Sequence, residues 1–169
     1  FENLIKVLFP EQEEMCKKFF KELIINTVTF HDLGKINPRF QKERMKNKKF
    51  QNEEGNITIG FEHSIVSAIL YLEYFLPRSK DFPKEIRRTF RLLTYINAYV
   101  ISKHHGNLGA FEQFIELFDP HSYGDNIYKA NIIRESYKKY FIDDAYFLNT
   151  NYCERCIGTL KKFKPSDKE

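Results

Sequence analysis

The 169-residue sequence predicts an all-α fold, a bundle of six or seven helices forming a single domain over residues 1–169. Three observations point there. Apolar residues recur at helical spacing along most of the chain, strand patterning is scarce, and Pro, Gly and Asn fall where helix ends favour them. The alternating stretch "NITIGF" around Ile57 is short and lies in a polar, Gly-containing segment. Apolar residues make up 42% of the chain, a globular composition. A chain of about 150 residues buries roughly 70% of the surface its unfolded form exposes, enough for a real core.

The elements follow in order. A first long helix is expected over residues 11–32, with Met15, Phe19, Leu23 and Val28 near one stripe and Gly34 as its stop. Asn37 should cap a short helix that Pro38 opens, since a missing N–H costs nothing in a first turn. Residues 46–60 read as a polar loop. A third helix should run from Glu62 through "SIVSAILYLEYFL" to Pro77. The fourth is the clearest. Asp81 caps it and Pro83 opens it. Ile86, Phe90, Leu93, Ile96 and Val100 form its apolar face, and it stops at Gly106. Further helices are expected at residues 110–118 and 125–141, with one more through Leu160.

Charge and cysteine usage narrow the setting. The formal charge is only +4, but "RFQKERMKNKK" from Arg39 to Lys49 concentrates six basic residues against one Glu. Such a run is either a solvated loop or a patch for phosphates. Cys16, Cys153 and Cys156 are too few for a disulfide framework and fit a reducing compartment, the cytoplasm. "YCERC" has the spacing of half a zinc site, but Cys16 and His121 stand in unrelated contexts, and a structural zinc needs four ligands. No apolar run nears the ~20 residues that span a bilayer, so no membrane partner is expected. The chain opens on Phe1 without a signal pattern and reads as a fragment of a larger protein.

Four of the five histidines sit at or beside predicted helix ends: His31 before Asp32, His63 in "FEHSIV", and the pair His104–His105. A helical bundle can gather such ends in one cleft, and imidazole with carboxylate suits transition metals. Neighbours on a helix point about 100° apart, so one ion cannot easily take both His31 and Asp32. Two ions bridged by Asp32 can, with His31 serving one and His63, His104 and His105 the other. A single histidine near a helix C-terminus is more often there for the dipole; the set in this order is harder to explain that way.

"HDLGKINPRFQ", then "EHS", then "KHHG" resemble the HD-superfamily nuclease domain of the CRISPR-associated nuclease–helicase, the type I interference enzyme. The resemblance runs over residues 28–106. It implies an HD-superfamily helical bundle with a metal site in a cleft. The cofactors implied are one or two divalent ions (Mn, Fe, Co or Ni, with Mg or Zn also compatible), and the substrate is single-stranded DNA. The partners implied are a helicase domain or subunit and a CRISPR RNA-guided surveillance complex. By position, His31, Asp32, His63, His104 and His105 match the family's metal ligands, and Lys35 matches the lysine near the scissile phosphate. Arg39, Phe40 and Gln41 would line the DNA path, Phe40 stacking on a base or packing in the core. Two family ligands lack a counterpart. Residues 1–30 contain no histidine, and Asp143 and Asp144 fit a late aspartate by order alone.

Hydrolysis would follow from a metal that acidifies water near neutral pH, with Asp32 as ligand and Lys35 neutralising phosphate charge. Two other readings stay open. One is an HD phosphohydrolase acting on nucleotides or cyclic nucleotides. The other is a degenerate HD scaffold with an incomplete metal site. Nothing in the chain resembles a P-loop, so a motor must come from elsewhere.

Overall fold

The computed structural model describes residues 13–51 and 63–116, with isolated positions among 3–10 and 128–139. The described residues are helical and include no strand. Four α-helices lie among them: α1 Glu13–Phe30, α2 Ser64–Arg78, α3 Lys84–Ser102 and α4 Phe111–Glu116. Tight 3-10 turns span Leu33–Ile36, Lys48–Phe50 and Ser79–Asp81, and a π-helical turn spans Phe40–Arg44. The all-α expectation holds; four α-helices lie among the described residues, with further isolated helical positions among 3–7 and 128–139. The helix expected at 125–141 is described only at isolated positions, each helical. "NITIGF", His121, Asp143, Asp144, Cys153 and Cys156 lie outside the described residues.

α2 is the centre of the bundle. Its sequence is apolar nearly all round, and such a helix is stable only when covered on every side. Val66, Ala68, Ile69, Leu70, Tyr71, Leu72, Phe75 and Leu76 are all buried. α1 and α3 both pack against it. The Phe-rich composition shows in the contacts. Phe19 of α1 meets Phe75 of α2 at 5.9 Å between ring centroids and Phe90 of α3 at 4.8 Å, in edge-on geometry. Edge-to-face pairs set a positive ring edge on a negative face, which favours this packing over stacked sandwiches. Arg78 closes the far end of α2. Its guanidinium lies 4.8 Å from the Tyr74 ring centroid and pairs with Glu22 of α1.

A polar knot also ties the three helices together. The Tyr71 hydroxyl donates to the Leu23 carbonyl at 2.8 Å and accepts from the Asn97 amide at 2.8 Å. Thr27 donates to the same carbonyl at 2.8 Å. This knot explains where the expected stripes miss. On α1 the buried face is Cys16, Phe19, Phe20, Leu23 and Phe30, while Met15 and Val28 are exposed. On α3, Ile96 and Val100 are exposed, and Thr94, Asn97, Ala98 and Ile101 point inward. Thr94 and Asn97 can face the core because their polar atoms are satisfied there, Thr94 by the Phe90 carbonyl at 2.7 Å. A reading by apolarity alone discounts both and turns the helix too far. At the start of α3, Pro83 takes the cap position and Asp81 lies in the preceding 3-10 turn, so Asp81 is not its cap.

Candidate metal centre

Three helix ends deliver the polar cluster. α1 ends at Phe30, and His31 and Asp32 form the turn after it. His63 is the residue immediately before α2. His104 and His105 lie in the turn that follows α3. Gly34 sets how closely the first two ends meet. A Cβ built on Gly34 would stand 2.3 Å from the His63 carbonyl oxygen and 2.8 Å from the His63 Cβ. No side chain fits in that gap, so Gly34 serves close backbone approach rather than the left-handed helix stop its position suggested; its φ is not positive. Its N–H donates to the buried Ser67 hydroxyl at 2.8 Å, which fastens the turn to the first turn of α2. Asn37 caps as expected, its side-chain oxygen accepting from the Arg39 N–H at 2.9 Å.

The two carboxylate oxygens of Asp32 face different partners. Oδ1 lies 3.3 Å from His63 Nε2 and 3.3 Å from His104 Nε2. Oδ2 lies 2.7 Å from Lys35 Nζ and 3.3 Å from His31 Nε2. His63 Nε2 and His105 Nε2 are 2.8 Å apart. One ligand atom each from Asp32, His63, His104 and His105 falls within 4.8 Å of all the others. Ligands held about 2.0–2.2 Å from one zinc-like ion in a tetrahedron stand about 3.4 Å from one another, so these four atoms are spaced for a shared cation.

Ring orientation supports the same conclusion. His104 Nδ1 lies 2.6 Å from the Ile101 carbonyl, and His31 Nδ1 contacts the Val28 carbonyl. A carbonyl can only accept, so Nδ1 must carry the proton, and in the neutral ring Nε2 keeps its lone pair for a metal. Asp32 Oδ1 and His104 Nε2 are both buried atoms without a hydrogen-bond partner. Two acceptors facing each other at 3.3 Å repel unless a cation sits between them. Burial pushes the Asp32 carboxyl up, but the Lys35 hydrogen bond and the nearby charges of His31, Lys35 and His63 outweigh it and hold it below the usual carboxylate range. Asp32 is therefore ionised near neutral pH. The residues present fit a divalent ion.

The basic segment lies next in sequence to this cluster. Arg44, Lys46, Lys48 and Lys49 are exposed. Arg39 pairs with Glu43 at 3.1 Å, and the Phe40 ring meets the His63 ring at 5.8 Å. Gln41 has an internal role that the sequence did not reveal. Its amide donates to the Lys35 carbonyl at 2.8 Å and accepts from Asn47 at 2.9 Å. Ser67 was also missed; its one signal is a hydroxyl inside the apolar run "SIVSAIL", one helical turn after His63.

A helical bundle that brings an HD carboxylate and three imidazoles from separate helix ends to one point defines a metal-dependent hydrolase of the HD type. The family model described as "Cas3, HD domain" matches residues 2–132, well over half of the chain. The chain belongs to the Cas3 HD-domain family, the metal-dependent nucleases of type I CRISPR systems. No curated protein and no solved structure matches it. No described helix is long and apolar enough to cross a membrane.

Proposed function

We propose that this domain hydrolyses phosphodiester bonds of single-stranded DNA in CRISPR antiviral defence. A helicase domain or subunit would feed it, and an RNA-guided surveillance complex would select the target. The observation that carries the reading is the convergence of Asp32 Oδ1 with the imidazoles of His63, His104 and His105 beside an exposed basic segment. When bound, a divalent ion (Mn, Fe, Co or Ni, with Mg or Zn compatible) supplies Lewis acidity toward a phosphoryl oxygen and lowers the pKa of water.

The chain's own residues account for the rest. Asp32, His63, His104 and His105 would hold the ion, with His31 on the other side of the Asp32 carboxylate. Nδ1–carbonyl bonds at His31 and His104 fix the rings, so no reorientation is needed when substrate arrives. Lys35 presents an ammonium beside the centre that can meet a non-bridging phosphate oxygen. Arg39 and the exposed cations Arg44, Lys46, Lys48 and Lys49 would track the phosphate backbone, an attraction that salt weakens. Phe40, beside His63, offers a ring for a base. Gln41 acts on the same path by holding the Lys35 backbone.

The test is incubation of the purified chain with Mn2+, Co2+ or Ni2+ and circular single-stranded DNA. Linear fragments that disappear with chelator are expected. Intact circles alongside turnover of free nucleotides or cyclic nucleotides would overturn the proposal in favour of a nucleotide phosphohydrolase.

A further inference from the structure

The basic segment after the HD turn is built more tightly than a solvated loop needs to be. Asn47 spends its backbone and side-chain hydrogen-bonding groups inside the segment. Its N–H donates to the Gln41 carbonyl at 2.9 Å, and its side-chain amide donates to Gln41 Oε1 at 2.9 Å. Its side-chain oxygen accepts from the Lys49 N–H at 3.1 Å, and its carbonyl from the Phe50 N–H at 3.0 Å. Phe50 is fully buried, and the Gln41 amide donates to the Lys35 carbonyl at 2.8 Å. The turn is thus fastened to the interior on one side and to the residues after Asp32 on the other. Around Asn47 stand Lys46, Lys48 and Lys49, all exposed, and among the described residues no carboxylate pairs with them. Residues 44–49, "RMKNKK", contain no acidic residue. Lys46 has a φ of 53°, the one non-glycine residue with positive φ among the described residues. A Cβ is crowded in that conformation, so Gly or Asn ordinarily takes it. A loop whose task is only to stay in solvent gains nothing from a lysine held there, nor from like charges fixed side by side.

We infer that residues 44–49 form a preset anchor for the phosphates of a single DNA strand, that this anchor grips the strand with no ion in the centre, and that Asn47 is the residue that positions it. The anchor rests on the nuclease reading above and separates grip from cutting: the cations hold the polyanion, and the centre hydrolyses it. Phosphates laid along the turn neutralise charges that otherwise repel one another. Because the backbone is already fixed, binding costs little further ordering. The bonds from Asn47 to Gln41 and from Gln41 to the Lys35 carbonyl tie the anchor to the turn that carries Asp32.

Fluorescence anisotropy of a labelled oligothymidylate in chelator measures grip alone. Wild type should bind, with an affinity that falls as salt rises. Each phosphate contact to a single strand adds about 0.7 to the salt slope, which amounts to about five-fold in affinity at about 0.1 M salt. Lys46→Gly should therefore bind about five-fold more weakly, with a slope shallower by about 0.7. It should melt no lower than wild type, because glycine accepts the left-handed backbone. Asn47→Ala should weaken binding by a similar factor, and Asn47→Ser, which restores an acceptor for the Lys49 N–H, should recover most of it. Lys84→Ala, at the far end of α3 from His104, should bind as wild type does. Wild-type affinity in Lys46→Gly, or equal weakening in Lys84→Ala, would overturn the anchor, and a lower melting temperature for Lys46→Gly would overturn the strain assigned to its backbone. Undiminished binding by Asn47→Ala, or no recovery in Asn47→Ser, would overturn the role given to Asn47. A wild-type chain that cuts circular DNA with metal but does not bind in chelator would overturn the inference and leave the proposed function standing; binding without any cutting would do the reverse.

Discussion

Replacing Gly34 by alanine adds one methyl group at the most crowded point near the centre. The new Cβ would stand 2.3 Å from the His63 carbonyl oxygen and 2.9 Å from its carbonyl carbon, both backbone atoms that no rotamer change can move. An ordinary contact needs about 3.4 Å, so the turn and the start of α2 must separate by about 1 Å. Two costs follow. Overpacking of this kind costs roughly 1–3 kcal/mol, and at about 2–4 °C per kcal/mol for a chain of this size the melting temperature should fall by about 2–12 °C. The separation also draws Asp32 away from His63, which face each other across the gap at 3.3 Å. Loss of supporting contacts around a metal site typically costs about 10–100-fold in affinity. Differential scanning fluorimetry and Mn2+ calorimetry on wild type and Gly34→Ala would measure both. A variant that melts with wild type and binds Mn2+ equally well would refute the argument that Gly34 sets the distance between these helix ends.

Other positions carry sharper single readouts. Ser67→Ala leaves the Gly34 N–H buried without its acceptor, and about 1–3 kcal/mol of stability should be lost in urea unfolding. Tyr71 is held up to about 12 by burial, against the opposing hydrogen bonds of Thr27 and Asn97. Its folded pKa is raised, so its contribution is whole below pH 10 and is lost as pH climbs toward 12. At about 1.4 kcal/mol per unit, the stability difference between wild type and Tyr71→Phe should shrink by about 3 kcal/mol over that window in alkaline denaturant titrations. Asp32 behaves oppositely. Its folded pKa is lowered, so its contribution is present above the ordinary carboxylate pKa and vanishes as pH falls through the folded value. Metal-free Asp32→Asn should therefore show a flatter acid-unfolding curve than metal-free wild type.

Much of the centre was legible in the sequence because its residue types are chemically conspicuous. His31, Asp32, His63, His104 and His105 stand at helix ends where turn residues and broken periodicity mark the boundaries, and the structure brings all five together. Their division was less legible. Which oxygen of Asp32 meets which ring depends on χ angles and on carbonyls such as those of Val28 and Ile101, which every residue possesses. Gly34 shows the same limit. A glycine after a helix reads as a stop, and only the His63 backbone pressed against it reveals a spacer. The outward turn of Ile96 and Val100 was hidden because Thr94 and Asn97 look solvent-facing until Tyr71 and the Phe90 carbonyl are seen to satisfy them.

Because its donor atoms come from residues between Asp32 and His105, the cluster cannot assemble on any shorter stretch of the emerging chain. α1, α2 and α3 must all have docked before the four donor atoms coincide. An ion captured by the proposed centre would thus come late in folding, and its binding free energy would add to the stability of the finished bundle.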